Sequence, residues 1–581
     1  MSTPNPDRVF CLPSKQDNEQ IELLAKNLGV QRIVAQILYS RGYLTEQSAL
    51  SFLYPRLNDL RKPEGELPMA GFSRAVDRIA KAILSKEKIG IFADYDVDGI
   101  TTCALLTDFL LRLGVTVYPK LATRTSGYGF SVEAAHDLLE KGCRLIITGD
   151  CGTSDIEALS YCKNHNVDTI VVDHHQVPTV IPPTLSLLNP HQQGCLFPFK
   201  GMASVGIAFY LISALRTRLK NKVSITLPNM TDFLDLVALG TIADLAPLEQ
   251  ENRILVRAGL IELRQTKRPG LKALVKLSGL DEISELSSSD VAFRIAPRLN
   301  APGRLHDPTL ALNLLLERNE VSANQLATLC HAANTDRQTI QDAVVQEATK
   351  LAQEQIDTHN PPVLVLANHH WHHGVLGIVA AKITEIYKKP SAILSILDNK
   401  ATGSMRTIKG FNCYLALKKA APFLLRFGGH AAAAGLSTTV ESIDTVRQLL
   451  CQAYMEQSEQ IQSTTSVLVD AVAQPHEINL ELLKNLSLLE PFGMGNAEPL
   501  LCLHQATLIR QKTVGKGHIQ AQFVIDDHSF ESIGFSLGPQ FQAINPSKPL
   551  SIVFTPDLDT FRGYPKVKLR VKYLKQELSL T

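Results

Sequence analysis

Four apolar runs, KIGIF (88–92), VTVYPKL (115–121), CRLIITGD (143–150) and DTIVVDHH (168–175), alternate with helical segments such as VEAAHDLLEKG (132–142) and DIEALSYCKNHN (155–166). This rhythm constrains the chain more than any other feature, because repeated strand-helix-strand units close as a mainly parallel sheet covered by helices. Where three of those strands stop, the sequence turns acidic or places histidines. Open α/β sheets bind ligands in the crevice at the carboxyl ends of their strands, so these residues are expected to share one edge.

The first strand end, IFADYDVDGITT (91–102), sets Asp94, Asp96 and Asp98 at alternate positions before Gly99. An EF-hand calcium loop opens this way but needs a bidentate Glu at its twelfth position. Counting from Asp94, that place is Leu105, inside ITTCALLTDFLLRLG, which has the pattern of a helix ending at Gly114. The aspartates therefore sit between a strand and a helix. DVDGIT (96–101) also resembles the haloacid dehalogenase signature, with its first Asp as a covalent nucleophile. That scheme gives Asp94 no role and needs no DHH.

The other strand ends supply Asp150 in IITGDCG and Asp173, His174 and His175 in IVVDHHQVP, while Asp244 in ALGTIADLAPL is a fourth candidate. Singly, each Asp is explained as a helix cap. Together, carboxylates and imidazoles gathered by a parallel sheet suit manganese, magnesium or a similar divalent ion. Two such ions about 3.5 to 4 Å apart are the usual apparatus for hydrolysing a phosphodiester.

Residues 1–75 read as an N-terminal helical region, 76–310 as the α/β domain just described, and 311–357 as a helical connector with one long, structural helix. A second α/β lobe follows over 358–460, and short strands over 465–581 suggest a small β-barrel. Lys plus Arg number 58 against 57 for Asp plus Glu, so a polyanion must be held by a local patch and not by overall charge. No apolar run approaches 18 residues and MSTPNPDRVF has no leader pattern, so a cytoplasmic protein with no membrane partner is expected. The ten cysteines form no C-x-x-C pair, which argues against zinc or a disulfide framework.

Further motifs carry binding chemistry. In GGHAAAAG (428–435) the alanines read as a helix start with a small-residue face, whereas Gly428, Gly429 and His430 suit close approach to a phosphate. Tyr128 of GYGF is either part of a turn or a base-stacking ring. His372 and His373 of WHHG are adjacent, and a positioning or DNA contact fits them better than zinc. In KVKLRVKY, Lys566, Lys568, Arg570 and Lys572 share one strand face, either as edge protection or as a groove for single-stranded DNA.

DYDVDG, GDCG, DHH and GTIADLAPL, in this order, resemble the four signature motifs of the DHH phosphoesterase superfamily. RLNAPGRL (298–305), WHHGVLGIVAAKI (371–383), GSMRT (403–407), GGHAAAAG and EPFGMGNAEP (490–499) are similar to the RecJ family of bacterial single-strand-specific 5′ to 3′ DNA exonucleases. Ala381, Lys382 and Thr407 depart from the common Ser-Arg pair and Ser. The resemblance implies a DHH domain, a DHHA1 domain joined to it by a long helix, and a C-terminal oligonucleotide-binding (OB) barrel. It implies Mn2+ or Mg2+ held by Asp96, Asp98, Asp150, His174 and Asp244, with Asp94 and His175 in support. Asp173 would orient a ligating imidazole. Arg124, Arg304, Ser404 and Arg406 would lie near the terminal phosphate, where Arg gives bidentate recognition.

The expected function is metal-dependent hydrolysis of single-stranded DNA from its 5′ end to mononucleotides, in DNA repair and recombination. A helicase and a single-strand-binding protein are the expected suppliers of substrate. Two alternatives stand beside it: a DHH phosphodiesterase of short oligonucleotides or cyclic dinucleotides, which would not need residues 465–581, and a non-catalytic nucleic-acid scaffold, which should have lost ligands.

Overall fold

The computed structural model describes residues 9–11, 17–124, 127–461, 466–515, 517–559 and 564–576. The chain forms two compact units. One is Tyr54–Arg337 with Glu490–Ala497, the other Met1–Leu53, Gln338–Leu489 and Glu498–Thr581.

The first unit is built on strands β1 (Ile89–Ala93), β2 (Val117–Leu121), β3 (Leu145–Gly149), β4 (Asp168–Val172) and β5 (Ser186–Leu188), all parallel in the order β2-β1-β3-β4-β5. Alternate residues of β1 serve opposite faces, as a pleated strand requires. Ile89, Ile91 and Ala93 join a large core with helices Phe72–Leu84, Val97–Arg112, Ser204–Leu219 and Leu234–Ala243. Phe92 joins a smaller core with helices Val132–Glu140 and Ile156–Asn164. Both faces of the sheet are thus covered, which is why its strands read as continuous apolar runs. The order reverses between β1 and β3, the point at which such sheets open a crevice.

In the second unit, β6 (Leu364–His369) and β7 (Ser391–Leu397) pair in parallel, and β8 (Lys400–Arg406), β9 (Arg426–Gly429) and β10 (Ala433–Thr439) complete an antiparallel extension in the order β9-β10-β8-β7-β6. The small-residue stretch at 428–435 is therefore the turn of a β-hairpin and not a helix start. Alanine favours helix in isolation, but here pairing with β8 along its full length decides the conformation. The C-terminal region contains β11 (Ala471–Val472), β12 (Leu501–Val514), β13 (His518–Ile525), β14 (His528–Gly534), β15 (Leu550–Asp559) and β16 (Lys566–Gln576). Pairing runs β12-β13-β14-β16-β15 and returns from β15 to β12, so five strands close a barrel and β11 adds to its side.

Helix Glu320–His359 is 40 residues long and begins in the first unit and ends in the second. Among the described residues no helix is long and apolar enough to cross a membrane. All ten cysteines are free.

Candidate metal centre

The loop after β1 enters helix Val97–Arg112 with Asp96 as its N-cap, whose Oδ1 accepts the Gly99 N–H at 3.1 Å. Gly99 is required by space, since a Cβ there would lie 2.4 Å from the Asp94 carbonyl oxygen. Asp98, the second residue of the helix, is buried and accepts the backbone N–H groups of Ser204 (2.7 Å) and Val205 (2.9 Å). It thereby sits on the positive end of helix Ser204–Leu219. Asp150 follows β3 in a left-handed conformation with φ +59°, and Asp244 caps the end of helix Leu234–Ala243.

These residues converge with the histidines after β4. Single donor atoms of Asp94, Asp96 and Asp150 lie within 4.8 Å of one another, as do those of Asp98, His174 and Asp244, and those of Asp150, His174 and His175. The first two sets share no residue, so the cluster offers donors for two ions. His174 Nε2 lies 3.1 Å from Asp150 Oδ1, 3.8 Å from Asp244 Oδ2 and 3.9 Å from Asp98 Oδ2.

Electrostatics separates ligand candidates from supporting groups. Burial, reinforced by neighbouring carboxylates, raises Asp94 to about 8, Asp98 to about 7 and Asp244 to about 8, and lifts Asp150 well above the usual range. Burial and the charge of His175 hold His174 down at about 4, leaving the neutral imidazole that a metal requires. Burial also acts against charge on His175, but Asp173 outweighs it and raises that ring to about 9. Asp173 Oδ1 lies 2.7 Å from His175 Nδ1 and accepts the His174 and His175 N–H groups, while its Oδ2 accepts the Thr153 N–H. Those bonds outweigh burial and hold its carboxyl well below the usual range. The ring that Asp173 orients is thus His175, not His174.

The donor set fits a divalent cation. Asp94 Oδ1 is buried with no hydrogen-bond partner among the described residues. Asp98, Asp150 and Asp244 are buried beside like charges that push their carboxyls up, and the charge of His175 offsets only part of this at Asp98 and Asp244. Mixed oxygen and imidazole donors of this kind suit manganese or magnesium.

In the same unit, Arg124 stacks over Tyr95 with its guanidinium carbon 4.6 Å from the ring centre, and its Nε donates to the Gly303 carbonyl at 3.0 Å. Arg304 is next in the chain, and burial together with Arg124 lowers it to about 10. Tyr128 is half exposed, and its hydroxyl donates to the Asp150 carbonyl oxygen at 3.0 Å and lies 3.1 Å from His175 Nε2. In the second unit, Ser404 lies opposite Gly435, which lies opposite Gly428. Directly opposed residues share a sheet face, so the two glycines leave bare backbone beside Ser404. Arg406 follows on the same face, where a Cβ on Gly377 would come within 2.9 Å of its Nη2. Gly429 is fixed twice over, by a φ of +134° and by a Cβ that would lie 2.5 Å from the Ala433 oxygen, and His430 follows at the exposed turn. His372 Nδ1 accepts the Gly374 N–H at 3.1 Å and so caps its own turn.

The basic strip is balanced residue by residue. Lys566 pairs with Glu531 (2.6 Å), Lys568 with Asp559 (3.7 Å), Arg570 with Glu498, and Lys572 lies 3.9 Å from the same Glu498. Lys568 also lines a groove of about 530 Å³ with Arg510 and Lys512.

Sequence reading missed the residues that hold the site in place. Ser204 and Val205 grip Asp98, and Asn189 bonds both Thr153 Oγ1 (3.1 Å) and the His175 carbonyl (2.8 Å). None carries a local signature. Gly240 did carry one, in ALGTIAD, because a Cβ there would meet Thr101 Oγ1 at 2.2 Å and Asp98 Oδ1 at 3.1 Å.

Family models match three stretches: the DHH family, N-terminal domain, over 88–241; the DHHA1 domain over 360–456; and the RecJ OB domain over 469–573. The chain is 33% identical over 563 residues to the single-stranded-DNA-specific exonuclease RecJ of Bacillus subtilis, covering 96% of this chain and 70% of that one. It is 32% identical to the Escherichia coli protein of the same name, covering 87% and 90%. Among solved structures it is similar to RecJ in complex with Mn2+ from Thermus thermophilus, with a TM-score of 0.82 and 27% identity over 99% of this chain and 80% of that one. The Mg2+ complex of that protein gives a TM-score of 0.75 with 26% identity, covering 99% and 79%.

Proposed function

The chain belongs to the RecJ family, and from that premise we propose that it is a divalent-metal-dependent exonuclease that degrades single-stranded DNA from the 5′ end to mononucleotides. The observation that carries this reading is the convergence of donor atoms in two sets, Asp94 with Asp96 and Asp150, and Asp98 with His174 and Asp244, each set lying within 4.8 Å. Mn2+ or Mg2+ held by these carboxylates and His174 would supply Lewis-acid activation of water and charge stabilisation for in-line displacement.

The chain's own residues prepare that chemistry. Asp98 is fixed by two backbone N–H groups, so the cluster keeps its shape without the cation. His174 offers a neutral lone pair. His175, charged through Asp173, places an imidazolium and a proton donor beside the reacting phosphate. Arg124, held by Tyr95 and Gly303, keeps its terminal nitrogens for a phosphate, with Arg304 beside it. Ser404, Arg406, Gly429 and His430 form the corresponding phosphate-facing set of the second unit. A 5′-phosphate seat at Arg124 and Arg304, in the same unit as the metal centre, would account for polarity and for one-nucleotide steps.

The RecJ OB match over 469–573 favours a long single strand over a cyclic dinucleotide, and a ligand set with no gaps disfavours a non-catalytic scaffold. The cellular setting that follows is repair and recombination in the cytoplasm, where a helicase and a single-strand-binding protein supply the strand. Single strands labelled at the 5′ or 3′ end, incubated with Mn2+ or Mg2+ and with or without chelator, test the proposal. Release of 5′-labelled mononucleotide only with metal is expected; metal-independent cleavage, or attack from 3′ ends, would overturn it.

A further inference from the structure

Residues Glu490–Ala497, the centre of EPFGMGNAEP, leave the C-terminal region and belong to the unit that holds the metal centre. They form a tight tongue. Gly493 and Asn496 exchange backbone hydrogen bonds at 2.8 and 3.2 Å, and the buried Asn496 side chain donates to the Pro491 carbonyl at 2.8 Å. Ser288 Oγ donates to the Phe492 carbonyl.

The tip is moulded to the segment that follows Asp244. The Leu248 N–H donates to the Met494 carbonyl at 2.7 Å. A Cβ on Gly493 would lie 2.7 Å from Leu248 Cδ1, and one on Gly495, where φ is +77°, would lie 3.0 Å from Glu249 Oε1. The Met494 side chain points outward, so backbone makes the contact. Between Asp244 and Leu248 the chain turns through Leu245 at φ +58°, a conformation that L-residues hold only when their surroundings enforce it. Asn252 secures the middle of that turn through the Pro247 carbonyl at 2.9 Å, and the tongue secures its end.

We propose that the 490–497 tongue is a positioning element for Asp244: by clamping Leu248 and Glu249 it fixes the strained turn that aims the carboxylate at the metal centre. The inference rests on the metal-centre reading above. Outer partners of metal ligands change affinity by about 10- to 100-fold when removed, and that is the scale expected here.

The test uses the full-length chain with Gly493→Val, which drives a side chain into Leu248, and Ser288→Ala, which frees Phe492 without touching the tip. Mn2+ binding to metal-free protein is followed from the electron paramagnetic resonance signal of the free ion, with kcat, KM for single-stranded DNA and Tm alongside. Weaker binding of one Mn2+ by about tenfold or more, a lower kcat, an unchanged KM and partial recovery at high Mn2+ are expected from either folded variant. In an Asp244→Asn background the same substitutions should add no further loss, since both act on one ligand. Unchanged Mn2+ isotherms, an effect on KM alone, or losses that add to Asp244→Asn would overturn the proposal. Wild-type protein that binds no Mn2+ would instead overturn the metal-centre reading itself.

Discussion

Helix Val97–Arg112 carries a buried aspartate at each end, and the two are treated in opposite ways. At its start, Asp98 stands among Asp94, Asp96, Asp150 and Asp244, and burial with like charge pushes its carboxyl up to about 7. At its end, Asp108 is surrounded by arginines: Arg268 at 2.8 Å, Arg112 at 3.1 Å and Arg318. Burial again works against charge there, yet the arginines win and hold the carboxyl below its ordinary value. The same residue type at the same depth is structural where the protein supplies the counter-charge. Where it supplies only the His175 imidazolium for several carboxylates, the remaining charge must arrive from outside, which is the physical content of a metal site.

The largest effect expected from breaking this contrast is on activity. Asp150→Asn keeps the left-handed backbone that Asn tolerates and should lower kcat by at least about a hundredfold, while Tm of the metal-free protein stays level or rises because a repelling charge is gone. A fall in Tm that parallels the loss of activity would show that Asp150 is structural. Asp108→Asn should do the reverse. It leaves Arg268 buried with weakened partners and is expected to destabilise the unit by about 3 to 5 kcal/mol, read from denaturant midpoints, with kcat of the folded fraction unchanged.

The two ends also differ in the sign of their pH dependence. Asp94, Asp98 and Asp244 have folded pKa values raised to about 8, 7 and 8, so between about pH 4 and pH 8 the folded state binds more protons than the unfolded one. Metal-free protein should therefore lose stability as pH rises across that window, and Asp244→Asn should flatten the decline, by on the order of a few degrees in Tm. Asp108 is depressed; its contribution is complete above its unfolded value near 4 and disappears as pH falls through the folded value. A Tm profile whose slope between pH 5 and pH 8 ignores Asp244→Asn would remove the contrast.

The barrel sharpens the comparison by a third arrangement, in which each base of the strip meets an acid at a partly exposed site. Pairs of that kind contribute little and open readily to a competing phosphate. Lys568→Ala should reduce the slope of log Kd against log salt by about 0.7 for single-stranded DNA and leave kcat at saturation alone. An unchanged slope would make the strip an edge-protecting device.

Much of this was legible in the sequence because it is local. Continuous apolar runs give the strands, and the parallel topology puts Asp94, Asp150 and His174 on one edge without any further information. What was not legible depends on residues far apart in the chain. Ser204 reaches Asp98 across 106 positions, and Arg268 reaches Asp108 from still farther along the chain, at the N-cap of helix Pro269–Leu277. The hairpin at 428–435 was misread for the same reason, since four alanines favour a helix until β8 offers its backbone.

The grip of Ser204 and Val205 on Asp98 bears on how genetics in this protein should be interpreted. An allele that replaces Asp98 removes the cap of a 16-residue helix along with a reacting group, so its phenotype merges absence of enzyme with absence of hydrolysis. Asp150→Asn changes a carboxylate that lies 3.1 Å from His174 Nε2 and caps no helix, and is the better substrate trap: a protein that still engages a DNA end, stays on it, and shields it from other nucleases.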